Sequence, residues 1–576
     1  MVSSTAVTAQ SPDLQRCHLG VEFGSTRIKA ILIDERGGVL AHGSYRWQPH
    51  QEQGLFSYHY DEAFTGLRQA YSAVKQHIVA EYGVTIRTLG SITISGMMHG
   101  YIPLGEDFTP VAAFRTWQNT NTGDAAAQLS AALEKHIPLR WSCAHYFQAL
   151  LDSEPHISQT RYLTTLAGYI HVHLCGEFVL GLGDAAGMFP LAADGHRYDP
   201  AAIKRFDDLT EPLGATGSMS DLLPRPLPAG AFAGRLTEKG AQLLDPAGDL
   251  QAGIVLAPPE ADAATSLVTT NVVTPGLGGI SAGTSIFAMV VLDKPLAAPL
   301  EEVDIVATPD GHHVAMVHCN NCAQEIDAWA DFVRSVITLT GQKCDDATLY
   351  RLLFTAAGLS VGDSNSYAAI NYHVGEHSTQ VTHGIPIMAR HPDAVFALGP
   401  VMRSVIMSSF VTLRFGLERL SNKASMTISH LVAQGGVFTV PEVAQRILSG
   451  MLGVPIGVPN ESAQGGAYGA ALLGLYLATI TERHEQAGTP GDSLDSVASD
   501  TAGGEIASSV QAAAPAAQQY STASPQSLSS FLQQILENSL TVSTVEPDPA
   551  TQEECDRFAA RYELLLPIER KLGEIF

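Results

Sequence analysis

Residues 23–34, FGSTRIKAILID, and residues 282–293, AGTSIFAMVVLD, align with each other without a gap. In both copies a glycine and two hydroxyl residues form a turn that leads into an apolar run. This pattern predicts a β-hairpin whose backbone N–H groups can face a phosphate group. Chance similarity of two hairpins is one explanation, and duplication of a whole lobe is the other. Duplication would place the two hairpins opposite each other across a cleft.

The segments around the first hairpin alternate between strand and helix patterns. Strands are predicted at 18–23, 28–33 and 90–94, and apolar residues spaced by three and four predict a helix over 61–82. This order is typical of an α/β lobe. The chain has 576 residues. Because single cores seldom grow past about 300 residues, two lobes are expected.

The charge of the chain limits its partners. Lys and Arg number 33 against 58 Asp and Glu, and the formal net charge is -25. Nucleic acid and anionic membranes are therefore not expected as partners. A nucleotide would need local backbone donors and Mg²⁺ to be held against this field. The chain shows neither a signal-peptide pattern nor 18 consecutive apolar residues, so a cytoplasmic protein is expected.

The seven cysteines do not suggest a disulfide framework, because an odd number fits a reducing compartment. Cys319 and Cys322 form a CxxC sequence directly after His318. No second ligand pair follows at a suitable spacing, so buried thiols are favoured over a zinc site.

Composition and pattern predict five segments. The stretch before 529 is rich in Ala, Ser, Gly, Pro and Gln, which cannot bury enough apolar surface to order itself. The segments are a flexible N-terminus at 1–16, a first lobe at 17–273, a second lobe at 274–485, a flexible low-complexity insertion at 486–528, and the C-terminal helix of the second lobe at 529–576, with its helical pattern over 553–572.

Asp262 is the first candidate for a catalytic residue. It follows an apolar strand predicted at 253–257 and precedes a helix start, a position where an Asp is often only a helix cap. Here it also lies just before the second hairpin, where the junction of the lobes and a cleft are expected. Glu260 offers a second carboxylate nearby.

Two glycine-rich segments follow in the second lobe. A strand predicted at 430–434 breaks into Gly435 and Gly436, which lets a planar base approach the backbone closely. Thr439 and Glu442 have capping-box spacing, which predicts that a helix begins there. The small residues of GGAYGA at 465–470 predict a tightly packed helix, and packing alone would explain these glycines.

Taken in order, these segments resemble the FGGY-type carbohydrate kinases, a family that includes xylulose, ribulose, gluconate and glycerol kinases. The resemblance spans 19–480 and the terminal helix. Its motifs are EFGST at 22–26 with Lys29, SGMMHG at 95–100, EADAA at 260–264, SAGTS at 281–285, and GG at 435–436 with GGAYGA at 465–470; FRTWQN at 114–119 and GDAAG at 183–187 are similar to sugar-lobe segments.

The sequence also departs from the family pattern. Glu22 stands where the family usually has Asp, which keeps the carboxylate but adds a methylene group. Asn119 occupies a position that is often charged. GEH at 375–377 lacks the family's arginine, and HYFQALL at 145–151 replaces a Lys-x-x-Trp stretch.

The resemblance implies a two-lobed α/β fold, ribonuclease H-like and of the actin/hexokinase type, with a duplicated core and an interlobe cleft. It also implies ATP and Mg²⁺ as cofactors. Asp262 would be the general base, and Glu22 and Asp262 would place the metal. The other implied contacts are Gly24, Ser25, Thr26, Gly283, Thr284 and Ser285 with phosphates, Gly435, Gly436 and Phe438 with adenosine, and Met98, His99, Trp117, Asn119, Asp184 and Asp262 with the sugar.

The substrate implied is a ketopentose. D-xylulose is favoured over L-ribulose because Met98 and His99 match the xylulose-kinase motif. L-ribulose, another sugar or polyol, and a non-catalytic sugar or nucleotide sensor on the same fold remain alternatives. The oligomeric state is open, with a homodimer as one option.

Overall fold

Two large β-sheets form the centres of two lobes. The computed structural model describes residues 11–215, 217–362, 366–440, 442–459, 465–486, 526–537 and 541–575. Residues 1–10 and 487–525, which make up most of the two segments predicted to be flexible, lie outside the described residues.

The first lobe contains the elements up to residue 269. Its strands are β1 (His18–Phe23), β2 (Arg27–Ile33), β3 (Val39–Arg46), β4 (His50–Glu52), β5 (Leu55–Ser57), β6 (Ser91–Gly96), β7 (Ile102–Leu104), β8 (Tyr162–Thr164), β9 (Val179–Gly181), β10 (Arg225–Leu227), β11 (Val255–Leu256) and β12 (Glu260–Ala261). Its helices are α1 (Tyr60–Tyr82), α2 (Gly123–Leu133), α3 (Ser142–Leu151), α4 (Leu166–Cys175), α5 (Leu182–Ala185), α6 (Pro200–Thr210), α7 (Met219–Leu222), α8 (Glu238–Leu244) and α9 (Asp262–Thr269).

The remaining elements follow residue 269. Their strands are β13 (Leu277–Ala282), β14 (Ile286–Val291), β15 (Val303–Ala307), β16 (His313–Cys319), β17 (Tyr367–Ile370), β18 (Ile387–Arg390), β19 (His430–Gln434), β20 (Ile456–Pro459) and β21 (Val542–Val545). Their helices are α10 (Gln324–Leu339), α11 (Asp346–Gly358), α12 (Leu398–Ala424), α13 (Val443–Leu452), α14 (Gly466–Gln486), α15 (Leu528–Leu536) and α16 (Pro549–Leu572). Seven of these strands form the second large sheet, in the order β15-β16-β14-β13-β19-β20-β21.

The two sheets share one strand plan. The first has the order β11-β6-β1-β2-β3, and the second contains β20-β19-β13-β14-β16 in the same sense. In each, an antiparallel hairpin (β1–β2 or β13–β14) lies beside a parallel strand (β6 or β19). The duplicated core predicted from the two aligned hairpins is therefore confirmed. The helix predicted over 61–82 is also confirmed, as α1.

Helices α9 and α14 lie between the sheets and contact each other along their length. Small residues permit this: a Cβ added to Gly469 would come within 2.1 Å of the Thr265 carbonyl oxygen. Helix α14 also packs on β1 of the first sheet, where a Cβ added to Gly20 would come within 2.0 Å of the Ala467 carbonyl oxygen. The tight packing predicted for 465–470 is therefore confirmed.

The C-terminal part of the chain differs from the single helix expected over 529–576. It holds α15, the edge strand β21 and α16. Helix α15 buries Leu528, Phe531 and Leu532 in a core shared with the first lobe, whereas α16 packs on α12 and α13 of the second lobe. The reason is the apolar pattern of 528–536, which gives α15 a buried face of its own.

The helix predicted to begin at Thr439 begins later. Helix α13 starts at Val443 after Glu442, which has a φ of 70° and whose side chain makes no capping hydrogen bond to a backbone N–H among the described residues. The Thr439 hydroxyl instead donates to the Gly436 carbonyl at 2.8 Å. The capping-box prediction was wrong because the hydroxyl stabilises the glycine turn before the helix.

Over the described residues, none of the helices combines the length and hydrophobicity needed to cross a bilayer.

Candidate active site

Asp262 lies where the first lobe meets the second. Strand β12 pairs in parallel with the end of β6, and Asp262 follows as the first residue of α9. Its Oδ1 accepts two backbone N–H groups, from Met98 at 3.0 Å and from Ala263 at 2.8 Å. Burial, and then the charge of Glu22, raises the pKa of Asp262 to about 6 although both N–H bonds lower it. A carboxyl group with this pKa can exchange a proton near neutral pH.

Glu22 faces the start of α14. It is buried in β1, and its Oε2 accepts from Lys29 Nζ of the neighbouring strand at 3.2 Å. A Cβ added to Gly466 would come within 2.9 Å of Glu22 Oε1. Glycine at this position therefore lets the helix start approach the carboxylate closely.

Glu22 and Asp262 line one small cavity of about 140 Å³. Its far wall belongs to the second sheet and includes Ser281 at the end of β13 and Gln434 at the end of β19. The two carboxylates therefore face the strand ends next to the second glycine hairpin.

The donor set suits Mg²⁺. Among the described residues there is no group of three or more His, Cys, Asp or Glu side chains that could hold a metal ion. Mg²⁺ does not need such a group, because it keeps several waters and binds one or two carboxylates together with substrate phosphates. Glu22 and Asp262 provide two carboxylates in one cavity, so these residues fit the ion.

Met98 and His99 lie beside the base. His99 has a φ of 68° and is buried, and its Nδ1 lies 3.2 Å from the Gly187 carbonyl oxygen. Burial, and then the charge of Arg140, lowers the pKa of His99 to about 3. The imidazole is therefore neutral, and because a carbonyl oxygen only accepts, Nδ1 carries the proton and Nε2 is an acceptor.

Asp184 and Glu260 form a buried carboxyl pair behind the base. Asp184 Oδ2 accepts from the Thr165 hydroxyl at 2.6 Å, while Oδ1 is buried without a partner among the described residues. Glu260 accepts the backbone N–H groups of Gly183 at 3.3 Å and Asp184 at 3.0 Å. Burial is the main cause that raises the pKa of each carboxyl group to about 8.

The remaining predicted sugar contacts, Trp117 and Asn119, do not line the small cavity of Asp262. The Trp117 side chain is 42% exposed, donates from Nε1 to Ser25 Oγ at 3.4 Å and lines a separate cleft of about 900 Å³. The amide of Asn119 is buried and exchanges two 2.8 Å hydrogen bonds with the backbone of Phe56. These contacts are those of a residue that fixes a loop, and a sugar contact of Asn119 stays a prediction.

The two glycine hairpins present exposed or half-buried turns. In the first, Tyr58 donates to the Ser25 carbonyl at 2.6 Å, and Gly24 and Thr26 flank this residue. In the second, the carbonyl oxygens of Gly283 and Thr284 accept from the backbone N–H groups of Ala323 and Cys322, just before α10. The second turn is thereby tied to the start of a helix. Ser285 is the last residue of this turn and directly precedes β14.

The CxxC cysteines follow this turn. Cys319 and Cys322 are fully buried free thiols, and burial raises the pKa of Cys322 to about 12. Such thiols are poor nucleophiles at neutral pH.

A cavity of about 680 Å³ lies next to the second hairpin. It brings together Gly283, Thr284 and Gly436 from the predicted nucleotide contacts. Gly435 has a φ of 124°, and a Cβ there would come within 1.9 Å of the Ala282 carbonyl oxygen, so only glycine fits. Phe438 is not in the lining, because its ring stacks on Phe410 in the core.

Several residues of this region were not found from the sequence. Asp327, Tyr350, Arg351 and Phe354 line the nucleotide-sized cavity, and Tyr350 donates its hydroxyl to Asp327 Oδ1 at 2.6 Å. They lie on α10 and α11, whose patterns indicate only amphipathic helices, so no local signal marks them.

Two family models match the chain. The N-terminal domain model of the FGGY family of carbohydrate kinases matches residues 17–247, and the C-terminal domain model of the same family matches residues 278–478. The xylulose kinase of Lactococcus lactis subsp. lactis (strain IL1403) is 24% identical over 182 residues, which are 30% of this chain and 36% of that protein. The xylulose kinase of Bacillus subtilis (strain 168) is 25% identical over 119 residues, which are 21% of this chain and 23% of that protein.

Solved structures resemble nearly the whole chain. The Rhodospirillum rubrum xylulose kinase has a TM-score of 0.70 at 15% identity and covers 97% of this chain and 100% of its own. The Lactobacillus acidophilus gluconate kinase has a TM-score of 0.68 at 17% identity, with 97% and 98% covered. At these identities the likeness shows the fold, and it confirms the two-lobed actin/hexokinase-type architecture. Since the two domain models together match most of its residues, the chain belongs to the FGGY family of carbohydrate kinases.

Proposed function

We propose that this protein is an ATP-dependent kinase that transfers the γ-phosphoryl group to a terminal hydroxyl of a ketopentose, with D-xylulose as the first candidate. One observation carries the proposal: the carboxylate of Asp262 is held by the Met98 N–H at 3.0 Å, in a cavity that it shares with Glu22 and the second sheet. A base between a sugar segment and a phosphate hairpin is what phosphoryl transfer to a hydroxyl requires.

Asp262 would accept the proton of the attacking hydroxyl. Its Oδ1 is occupied by two N–H bonds, and Oδ2 has no hydrogen-bond partner within the described part of the chain. The fixed oxygen sets the direction of the carboxylate, which leaves the other oxygen for the substrate. Correct placement of a base is worth about 10²–10⁴ in rate.

The glycine turns would hold the phosphates. Gly24, Ser25 and Thr26 would contribute from the first lobe, and Gly283, Thr284 and Ser285 from the second. Glu22 and Asp262 would hold Mg²⁺, which when bound neutralises charge on the transferred phosphoryl group. The adenosine would occupy the cavity of about 680 Å³ beside Gly436.

Buried polar atoms near the base favour a polyhydroxylated acceptor. Asp184 Oδ1, Trp141 Nε1 and both ring nitrogens of His145 are buried without hydrogen-bond partners among the described residues. Trp141 lies against His99, with ring centroids 6.5 Å apart. Unpaired buried polar groups are rare and costly, so a ligand rich in hydroxyl groups is a fitting partner for them.

Two kinds of support favour D-xylulose within the family. The sequence SGMMHG at 95–100 resembles the xylulose-kinase motif, and the two relatives named above are xylulose kinases. L-ribulose, gluconate and glycerol are the alternatives to compare, because structural neighbours include gluconate and glycerol kinases.

The test is ADP release with Mg-ATP and a panel of D-xylulose, L-ribulose, gluconate and glycerol. We expect the largest kcat/KM with D-xylulose, and phosphate on its terminal hydroxyl by NMR. A larger kcat/KM for another member of the panel would show that D-xylulose is not the preferred substrate. If the sugars bind in calorimetry without any ADP release, the protein is a sensor and the kinase proposal fails.

A further inference from the structure

An acidic side chain of the second sheet pairs with two basic side chains of the first lobe. Asp304 on β15 contacts the Arg140 guanidinium through Oδ2, and its Oδ1 lies 3.3 Å from His136 Nε2. The three side chains are only 13–26% exposed. Arg140 and Asp304 are 164 residues apart in the chain. This pair is thus a partly buried electrostatic contact between the lobes.

Arg140 is joined to the sugar segment. Its carbonyl accepts the Gly100 N–H at 3.4 Å, directly after His99. The next residue, Trp141, is the one whose ring lies against His99. Any displacement of Arg140 would therefore also displace the residues beside Asp262.

Asp304 is joined to the nucleotide side. It pairs in register with Met316 on β16, and β16 pairs with β14, where Cys319 lies opposite Ile286. Strand β14 begins directly after the turn of Gly283. The ion pair therefore connects the sugar segment and the second phosphate hairpin through two strands of one sheet.

The ion pair of Arg140 and Asp304 also lines a large cavity. Arg140, His136 and Asp304 line the cavity of about 900 Å³ that Trp117 and His318 border. A charge that is partly buried against its partner loses much of its hydration, so removing one partner while the lobes stay in contact would leave the other charge poorly compensated.

We propose that Asp304 and Arg140 are positioning residues of the kinase reaction: their contact holds the second sheet against the sugar segment, so that the γ-phosphoryl group and the accepting hydroxyl meet at Asp262. This inference rests on the proposed function. Neither residue lines the small cavity of Asp262 and Glu22. The effect of their loss is therefore a poorer alignment of two bound substrates, which lowers kcat/KM for the sugar and lets water compete for the phosphoryl group.

The experiment uses the single variants Asp304→Asn and Arg140→Gln, the single charge reversals Asp304→Arg and Arg140→Asp, and the charge exchange that combines the two reversals. We expect each single variant to lower kcat/KM for the sugar at least about tenfold and to raise the ratio of ADP to sugar phosphate. The double exchange should recover part of that loss relative to Asp304→Arg alone. Arg205→Gln is the matched control, because Arg205 pairs with Glu134 within the first lobe on an exposed surface.

The possible outcomes distinguish a failure of the positioning role from a failure of the proposed kinase function. A wild-type protein without sugar-dependent ADP release overturns both. An active wild type with single variants that equal the control overturns only the positioning role, as does a charge exchange that folds and is no better than its single variants. If the single variants do not fold, Asp304→Glu and Arg140→Lys keep the charges, and they must retain most of the activity.

Discussion

Gly469 of α14 lies against the Thr265 carbonyl oxygen of α9, so closely that a Cβ would come within 2.1 Å of that oxygen. Asp262 is the first residue of α9, and Glu22 lies beside the first residues of α14. This contact between the helices therefore sets the spacing of the two carboxylates that share the small cavity.

Gly469→Ala should lower both stability and activity. The added methyl group must push α9 and α14 apart, because its neighbour is backbone that cannot rotate away. Overpacking of this kind costs about 1–3 kcal/mol of unfolding free energy. Urea unfolding and kcat measure the two effects. Gly123→Ala is the control, since a Cβ there meets no atom within 4 Å; equal stability of both variants would contradict the argument.

Asp262→Asn should lower kcat by at least about a thousandfold, because the amide cannot accept the hydroxyl proton and is a weaker metal ligand. The amide oxygen can still accept the Met98 N–H, so the fold should be retained. Steady-state kinetics and a thermal melt measure this together. The exposed Asp221→Asn is a matched carboxylate control. Near-normal activity of Asp262→Asn would remove this residue from its proposed role.

The two glycine hairpins were predictable from the sequence, whereas several side-chain contacts were not. A turn and its flanking strands are specified by neighbouring residues, so FGST and AGTS indicated both hairpins and their duplication. The start of α13 was mispredicted, because the spacing of Thr439 and Glu442 matches a cap while the hydroxyl bonds to Gly436 instead.

Positions carried over from a family motif do not give the direction of a side chain. The resemblance implied that Asn119 contacts the sugar and that Phe438 contacts adenosine. In the structure the Asn119 amide is hydrogen-bonded to the backbone of Phe56, and the Phe438 ring stacks on Phe410. Arg140 and Asp304 belong to no local pattern, because their contact exists only after both lobes have folded. Sequence patterns therefore indicated the elements around the cleft more fully than the contacts across it.

Asp184→Asn should reduce the pH dependence of stability. The pKa of Asp184 is raised from 3.8 to about 8 in the folded protein, so folding favours the protonated carboxyl group. Its contribution is fully present below the unfolded pKa and is lost as the pH rises toward about 8. The wild type should therefore lose unfolding free energy between about pH 5 and about pH 8, as measured by urea titration, and the variant should lose less.

The control for this comparison is Asp221→Asn. Because the side chain of Asp221 is exposed, this variant should show the same pH dependence of the unfolding free energy as the wild type. Glu260 should leave a residual slope in Asp184→Asn, since burial raises its pKa as well. An equal slope in the wild type and in Asp184→Asn would show that the carboxyl group of Asp184 is already ionised in the folded protein at about pH 5, so that its pKa is not raised.

Ala347→Phe should weaken ATP binding without affecting the sugar. Ala347 lines the cavity of about 680 Å³ beside Tyr350 and Gly436, so a phenyl ring there would occupy the space proposed for adenosine. We expect KM for ATP to rise at least about tenfold, with KM for the sugar unchanged because Asp262 lines a different cavity. Ala328→Phe, at an exposed position of α10 outside the cavity lining, is the matched control. Equal KM values for ATP in both variants would mean that the nucleotide binds elsewhere, whereas a parallel rise in both substrates' KM would indicate a general distortion of the second lobe.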